Sequence, residues 1–232
     1  YKRQNENCVD CNKCIRSCPV LIANISKENS ISVNDEACIK CGACFKECQH
    51  SAREYEDDTE KFLKDLKAGK KISVLVAPAF VANYPNDYKK IYGYLKSLGV
   101  VDIYSVSHGA DICTWSYIKY IKKTGKKGLI SQPCPAIVNY IEKYRPELIK
   151  NLMPLQSPMM CEAIYLKKYK QVAESLAFIS PCIAKGDEIK DKNTKGFVKY
   201  NVTFKKLLAA IKESYYSSKE YDLSLIHISE PT

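Results

Sequence analysis

Cysteine is the residue type with the clearest chemical role in this chain, since twelve of its 232 residues are cysteines. Residues 8–18 read CVDCNKCIRSC and residues 38–48 read CIKCGACFKEC, so both segments have the spacing C-x2-C-x2-C-x3-C. The front of the chain is therefore an internal duplication with a period of 30 residues. Thiolates bind soft metals, and clustered thiols in a reducing compartment serve metals more often than disulfides. The pattern predicts a metal-binding region.

The duplicated spacing resembles that of bacterial two-cluster ferredoxins. In such a repeat, three cysteines two residues apart surround one 4Fe-4S cluster, and the fourth cysteine reaches the other cluster. The resemblance implies that one cluster is held by Cys8, Cys11, Cys14 and Cys48. It implies that the second is held by Cys18, Cys38, Cys41 and Cys44. Gln49 stands where these ferredoxins have proline, which affects the local turn and not the ligands.

Zinc is the alternative metal, because tetrahedral thiolate sites also use C-x2-C pairs. Two zinc sites would not require eight cysteines in this duplicated spacing, so iron–sulfur clusters are the favoured interpretation. A module of about fifty residues with few large aliphatic side chains buries too little area to fold alone. We expect cluster binding to supply the missing folding free energy.

The composition restricts the possible partners. Apolar residues make up 46% of the chain, which is enough for a packed core, and the formal net charge is +10. The lysines are scattered, often as pairs such as Lys89-Lys90 and Lys205-Lys206, which is typical of solvated helix faces. The second interpretation is a positive surface that docks an acidic redox partner protein or small ferredoxin. We expect no nucleic acid partner, no membrane partner and a cytoplasmic location.

The texture of the sequence changes after residue 52. Residues 53–71 are charge-dense with apolar residues near helical spacing, which predicts a linker helix ending at Gly69. Strands are then predicted within 72–78, 101–107, 128–135 and 176–185 and from Phe197, with helical patterns between them. This alternation predicts parallel βαβ units. The predicted fold is an α+β ferredoxin-like domain over 1–52 and, after the linker, an α/β domain with a mostly parallel sheet over 72–222.

Two of the remaining cysteines follow predicted strands. Cys134 lies in the segment QPCP after the third predicted strand, and Cys182 follows the fourth. In parallel sheets, chemistry collects at the carboxyl ends of the strands, so these two thiols are candidate ligands. Cys113 and Cys161 fall on helical patterns, where we expect them to act as small buried hydrophobic residues.

The second domain resembles the iron–iron hydrogenase family at several motifs. The first cysteine segment of that family reads TSCCP, and residues 131–135 read SQPCP. The second reads PCxxKxxE, and residues 181–188 read PCIAKGDE, a complete match. APA at 77–79 and GAD at 109–111 also agree, and the resemblance covers about residues 1–210. A two-cluster ferredoxin module joined by a short helix to this domain is the usual layout of the family.

The resemblance implies a further cofactor. Cys134 and Cys182 would be two of four thiolates that hold a 4Fe-4S cubane. A thiolate joins that cubane to a two-iron unit carrying cyanide and carbon monoxide, and together they form the H-cluster. The remaining thiolates come from a third cysteine segment, so we expect the complete H-cluster only in a full-length parent protein.

Four other residues belong to the implied surroundings of the H-cluster. Lys185 would donate to a cyanide ligand, because a buried cation is favourable only against an anionic group. Glu188 completes the same motif and would lie in the same environment. Ala77 and Pro78 would line the pocket with backbone dipoles.

The first segment departs from the family where the family relays protons. Pro133 stands in place of the relay cysteine, and proline has neither an acidic group nor an N–H. Ser116 and Tyr117 stand about where acidic residues follow GAD. General acid–base transfer typically contributes ~10²–10⁴-fold, so slow turnover is expected. This pattern resembles the sensory branch of the family, in which the domain reports H2 or redox state to a downstream signalling domain.

The final residues LSLIHISEPT, 223–232, differ in texture from the helix before them. They match the translation of a transposase-adapter sequence used in DNA library preparation, so we interpret them as an artefact and the chain as a truncated fragment. His227 receives no role for this reason. His108, which precedes GAD, is expected to be an ordinary turn histidine.

The sequence therefore predicts an iron–sulfur electron-transfer protein, a fragment of an FeFe-hydrogenase-like oxidoreductase in which ferredoxin clusters relay electrons to an H-cluster site used for H2 or redox sensing. We expect the fragment itself to be inactive. The alternative is a non-catalytic iron–sulfur assembly or electron-carrier protein of hydrogenase ancestry, against which Lys185 argues. A third hypothesis is a ferredoxin joined to an unrelated domain.

Overall fold

The chain forms two compact units in the computed structural model, which describes residues 7–20, 22–27, 30–212 and 214–223. Unit 1 consists of Tyr1–Glu56 and Pro135–Ile149, and unit 2 consists of Asp57–Cys134 and Lys150–Thr232. Of the segment interpreted as an artefact, 223–232, all but Leu223 lies outside the described residues.

Unit 1 contains short elements around the cysteine repeats. They are α1 (Lys13–Arg16), β1 (Asn24–Lys27), β2 (Ser30–Val33), α2 (Ala43–Lys46) and α7 (Pro135–Tyr144). β1 and β2 pair antiparallel. Helices α1 and α2 each begin two residues after the second cysteine of a repeat, as the duplication requires. The core between them is small, built on residues such as Val20, Ala23 and Ile39.

Helix α7 packs within unit 1, although its place in the chain lies inside the predicted 72–222 domain. The hydroxyl of Tyr144 donates to the carbonyl of Ala37 at 2.6 Å. The ammonium of Lys143 donates to the carbonyl of Cys38 at 2.9 Å. Contacts between segments so far apart in sequence leave no local pattern from which they could be predicted.

Unit 2 is built on one four-stranded sheet covered by helices. The strands are β3 (Ile72–Val76), β4 (Val100–Ser105), β5 (Ser175–Ser180) and β6 (Val198–Thr203). The helices are α3 (Thr59–Lys67), α4 (Ala79–Asn83), α5 (Tyr88–Ser97), α6 (Ser107–Thr124), α8 (Pro158–Ile164), α9 (Lys185–Lys190) and α10 (Phe204–Ile211). Shorter helical turns span Pro146–Asn151, Tyr165–Tyr169 and Lys192–Thr194. The strand order is β4-β3-β5-β6, and every neighbouring pair is parallel, as the strand–helix alternation predicts.

β3 is buried on both faces of the sheet, which explains its apolar run, interrupted only by the buried Ser73. On one face, α3, α5 and α10 contribute Phe62, Leu95 and Leu207 to a single core. On the other face, α8 contributes Met159 and Met160. Fully burying a side chain of this size contributes roughly 1.5–3 kcal/mol, so these layers hold the sheet in place.

The segment GLISQPCP is not a strand of this sheet, so the prediction of a strand within 128–135 was wrong. Its one bridge among the described residues joins Ile130 to Leu152. The Ile130 N–H donates to the carbonyl of Asn151 at 2.8 Å, and the Ile130 carbonyl accepts from the N–H of Met153 at 2.9 Å. The two prolines of the segment lack the N–H groups that a sheet ladder needs.

Two predicted helix ends are confirmed by the backbone. Gly125 follows α6 with a φ of 61°, and Gly69 follows α3 with a φ of 78°. This left-handed conformation is the usual helix terminator, and glycine adopts it without steric cost. In the described part of the chain, no helix is long and apolar enough to cross a membrane.

Candidate metal centres

The four cysteines predicted to hold the first cluster lie around a single cavity of unit 1. The cavity is lined by Cys8, Val9, Cys11, Cys14, Ile31, Cys48, His50, Ala52 and Arg53. Burial raises the pKa of Cys14, the nearby Cys44 and Cys48 thiols raise it further, and Arg53 opposes the increase. The fold thus brings Cys48 to the other three thiols across more than thirty residues of sequence.

The backbone repeats its conformation along with the sequence. Asp10 and Asn12 have φ values of 49° and 56°, and their counterparts 30 residues later, Lys40 and Gly42, have φ values of 57° and 81°. Turns that contain left-handed residues can direct successive N–H groups toward one side, a geometry that binds anions in many iron–sulfur sites. The second segment presents such donors to its thiols: the N–H of Lys40 to Cys38 and that of Ala43 to Cys41.

The cysteines predicted to hold the second cluster also lie close together in unit 1. Burial raises the pKa of Cys38, and the nearby thiols of Cys44, Cys41 and Cys18 raise it further. The Cys38 sulfur accepts a hydrogen bond from the N–H of Lys40 at 3.3 Å. Cys41 shows the same pattern: burial raises its pKa, and an N–H donor opposes the increase.

The two candidate cofactors, a single zinc ion and a 4Fe-4S cluster, require different arrangements of thiol ligands. Among the described residues, no three His, Cys, Asp or Glu side chains converge closely enough to hold one ion. The ligands of zinc all meet one atom at about 2.3 Å, whereas the four ligands of a cubane bind four different irons. The first four thiols line one cavity.

Cys182 lies directly beyond the carboxyl end of β5 in unit 2, where the sequence places it. Its backbone N–H donates to the hydroxyl of Ser180 at 3.2 Å, and Asn201 donates to its carbonyl at 3.3 Å. Burial raises the pKa of the thiol, and the N–H groups of Ala184 and Lys185 oppose the increase by donating to the sulfur. These two N–H donors favour the thiolate, but burial outweighs them, so the pKa of the Cys182 thiol stays above its ordinary value.

Cys134 is close enough to Cys182 for its charge to raise the pKa of that thiol. The Cys134 residue is exposed, and it precedes α7 without following a sheet strand. Ala77 and Pro78 follow β3, the strand next to β5, and the Ala77 N–H donates to the carbonyl of Ile179 at 3.0 Å. Unit 2 therefore places the two predicted thiol ligands within electrostatic reach of each other, and Ala77 and Pro78 at the carboxyl end of the strand next to β5.

Lys185 and Glu188 form a buried ion pair on α9. Their side chains are 9% and 16% exposed, respectively. Ser157 joins the pair: its hydroxyl donates to the Glu188 carboxylate and accepts from the Lys185 ammonium at 3.4 Å. Ser157 also accepts a hydrogen bond from the N–H of Met160, which caps the start of α8. The two motif residues are thus anchored to a second helix, an arrangement that the sequence did not predict.

A second buried pair lies at the GAD segment. His108 Nδ1 lies 2.9 Å from Glu162 Oε2, and Glu162 is 3% exposed. Burial raises the pKa of Glu162, while His108 and the N–H of Gly109 oppose the increase. Sequence reasoning missed Glu162, although a glutamate within the apolar pattern of SPMMCEAI was a signal that it is buried.

Tyr117 lies beside the segment that precedes Cys134. Its hydroxyl donates to the side chain of Gln132 at 2.6 Å and accepts from the hydroxyl of Ser131 at 3.1 Å. Ser116 instead donates to the carbonyl of Ile112, one turn back along α6. These groups are neutral hydrogen-bonding residues next to Pro133.

Two family matches together cover most of the chain. Residues 70–226 match the family described as iron only hydrogenase large subunit, C-terminal domain, and residues 1–49 match the 4Fe-4S dicluster domain. Iron hydrogenase 1 of Clostridium pasteurianum is 31% identical over 84 residues, which are 34% of this chain and 15% of that protein. A tetrathionate reductase subunit of Archaeoglobus fulgidus is 40% identical over 40 residues, or 17% of this chain and 19% of that protein.

Solved FeFe-hydrogenase structures share the fold. HydA(deltaEFG), whose structure is described as revealing stepwise H-cluster assembly, has a TM-score of 0.59 at 20% identity and covers 72% of this chain. A variant of HydA1 from Chlamydomonas reinhardtii has a TM-score of 0.58, also at 20% identity and 72% coverage. The matches cover 50% and 51% of those chains, so this chain spans about half their length.

Proposed function

Because the chain belongs to the family of iron-only hydrogenase large subunits, we propose that it is an iron–sulfur electron-transfer protein that feeds single electrons to a hydrogenase-type cluster site. Unit 1 would hold two 4Fe-4S clusters. Cys134 and Cys182 of unit 2 would bind part of the receiving cluster. The observation that carries this proposal is the duplication in unit 1. The same thiols and the same left-handed residues occur in two segments that lie 30 residues apart.

The residues of unit 2 fit the chemistry expected at an H-cluster. When bound, that cluster supplies the reversible reduction of two protons to H2. Cys182 offers a sulfur with two N–H donors, and Cys134 lies near it. Lys185 offers a buried ammonium held in position by Glu188 and Ser157. These residues would bind and orient part of the cluster.

Sensing of H2 or redox state is the use that we propose for the parent protein. Pro133 cannot relay a proton, and the nearby Tyr117, Gln132 and Ser131 form a neutral hydrogen-bonded group. A weak acid such as tyrosine transfers protons slowly near neutral pH, which suits a reporter better than a fast catalyst. A downstream signalling domain would then receive the report.

A non-catalytic protein of hydrogenase ancestry is the alternative function, and its cofactor content distinguishes it from a hydrogenase. The same lack of an acidic relay would suit an iron–sulfur assembly or electron-carrier protein that has lost the two-iron unit. Infrared bands of bound carbon monoxide and cyanide in the full-length parent, matured with its assembly enzymes, would support the hydrogenase-type site. Their absence in a protein with full iron loading would support the alternative.

Partner and location are part of the same proposal. The net charge of +10 would favour docking to an acidic redox protein such as a small ferredoxin. Twelve cysteines without a disulfide among the described residues suit the reducing cytoplasm.

The cluster content of unit 1 tests the proposal directly. Anaerobically reconstituted protein should contain about eight irons and eight sulfides per chain, as two 4Fe-4S clusters require. Cys11→Ser should reduce the first cluster's iron, and Cys41→Ser the second's, while Cys113→Ser should leave the iron content unchanged. Colourless protein, or protein loaded with zinc in place of iron and sulfide, would refute the proposal.

A further inference from the structure

Arg53 is a buried cation beside the first set of thiols. It is 7% exposed and lines the cavity that Cys8, Cys11, Cys14 and Cys48 surround. Its residue type is unusual for such a place, because arginine is almost never this buried unless it is paired. The buried guanidinium therefore needs a counter-charge close to the cavity.

Neutral groups hold the guanidinium of Arg53 in place. Nη1 donates to the carbonyl of Ile31 at 3.5 Å, and Nη2 donates to Oδ1 of Asn24. Asn24 is 5% exposed, and its amide donates in turn to the carbonyl of Cys14 at 3.3 Å. Hydrogen bonds thus connect the cation to the backbone of a predicted cluster ligand, which fixes its distance from the cavity.

These partners leave the charge of Arg53 uncompensated. None of the salt bridges among the described residues includes it. A buried charge is costly unless an opposite charge lies close to it. A 4Fe-4S cluster with four thiolate ligands carries a net negative charge and would supply that counter-charge.

The duplication does not repeat this buried cation at the second cluster: the cation described there, Lys143, is exposed and donates to the carbonyl of Cys38. The residue 30 positions before Arg53 is Ala23, which packs with Cys18 and Cys38 in an apolar cluster. Ala23 is 1% exposed and brings no charge to the second set of thiols. The two predicted clusters therefore lie in electrostatically different surroundings, although their ligand spacing is identical.

We propose that Arg53 sets the reduction potential of the cluster held by Cys8, Cys11, Cys14 and Cys48, and makes this cluster easier to reduce than it would be without the buried cation. The inference rests on the proposed function, because it requires a 4Fe-4S cluster at these thiols. Reduction adds one electron from an external donor and increases the negative charge beside Arg53. The attraction is therefore stronger in the reduced state than in the oxidised state.

Redox titration followed by electron paramagnetic resonance tests the proposal. Anaerobic protein is reduced stepwise with dithionite, and the midpoints of the two clusters are compared with those of Arg53→Gln. We expect the reduction equilibrium constant of one cluster to fall about tenfold in the variant, which is about 59 mV for one electron. The midpoint of the other cluster should shift several-fold less than that of the first. Arg53→Lys, which keeps the charge, should lie closer to the unmodified protein.

Arg16 provides a matched control beside the same set of thiols. It is exposed, and its Nη2 donates to the carbonyl of Cys11 at 3.4 Å. Arg16→Gln removes the same charge beside a ligand of the same cluster, but water and salt screen the exposed Arg16 guanidinium. We expect less than a threefold change in either equilibrium constant.

Three results would overturn the inference. They are unchanged midpoints in Arg53→Gln with both clusters present, equal shifts of both clusters, and a shift in Arg53→Lys as large as in Arg53→Gln. If Arg53→Gln loses iron from the first cluster, Asn24→Asp tests the same charge, because a carboxylate would neutralise the guanidinium in place. An unchanged midpoint there also overturns the inference. Failure of the unmodified protein to bind iron would instead refute the proposed function.

Discussion

Lys185 and Arg53 are both buried cations, but their surroundings differ. Lys185 has a carboxylate partner, Glu188, and a hydroxyl partner, Ser157. The hydrogen-bond acceptors of Arg53 are neutral, and none of the salt bridges among the described residues includes it. A paired cation can be stable before a cofactor binds, whereas an uncompensated one needs the cofactor's charge. At the residue scale, the Lys185 site should therefore fold independently of its cluster, and the Arg53 site should depend on it.

Removing Glu188 should destabilise unit 2, because it leaves the Lys185 ammonium buried without its counter-charge. We expect Glu188→Ala to lower the free energy of unfolding by about 3 kcal/mol. The measurement is the midpoint of urea unfolding under anaerobic conditions, compared between proteins whose m-values are equal. Glu60→Ala on the exposed face of α3 is the control and should change stability by less than about 0.5 kcal/mol. Equal midpoints for the two variants would show that the pair does not stabilise the unit.

At the scale of elements, α6 and α8 pack closely against each other in unit 2, and several polar contacts form where they meet. Gly109 lies where the two helices approach each other: a Cβ atom there would come within 2.2 Å of the Pro158 carbonyl oxygen. The close approach places His108 against Glu162. It also lets Cys113 and Cys161 donate to the same carbonyl, that of Gln156, at 3.4 and 3.6 Å. The glycine of GAD is therefore explained by helix packing.

Gly109→Ala should force α6 and α8 apart. Overpacking of this kind typically costs about 1–3 kcal/mol, which exceeds the helix-propensity gain of about 1 kcal/mol from alanine. Gly186→Ala on α9 is the matched control, since its Cβ would meet only Asn201 at an ordinary 3.6 Å. Thermal unfolding followed by circular dichroism should show a lower midpoint for the first variant and an equal or higher midpoint for the second. The reverse order would contradict the packing argument.

At the scale of the whole molecule, charge is the property most relevant to partners. The chain carries a formal net charge of +10, with 36 lysines and arginines against 26 acidic residues. Charge of this size accelerates encounters with partners of opposite sign, and salt screens the effect over a Debye length of about 10 Å at 0.1 M. The partner proposal therefore makes a kinetic prediction that does not depend on a particular docking surface.

Electron transfer to the reconstituted protein from an acidic ferredoxin should slow as salt rises. We expect the second-order rate constant to fall at least tenfold between about 0.05 and 0.5 M ionic strength. Stopped-flow absorbance of the iron–sulfur bands measures the rate. A basic cytochrome is the control and should react faster, not slower, as salt rises. A rate with an acidic donor that does not respond to salt would argue against electrostatic docking.

The sequence by itself determined the features that depend on short spacings. The duplicated cysteines, the parallel strand–helix alternation and the helix ends at Gly69 and Gly125 all follow from local backbone geometry and hydrophobic periodicity. Only the tertiary structure decided which distant groups meet. It placed α7 in unit 1, left GLISQPCP out of the sheet and brought Arg53 to the thiols and Glu162 to His108. Such pairings depend on packing and charge burial between segments far apart in the chain, which leave no periodic trace in the sequence.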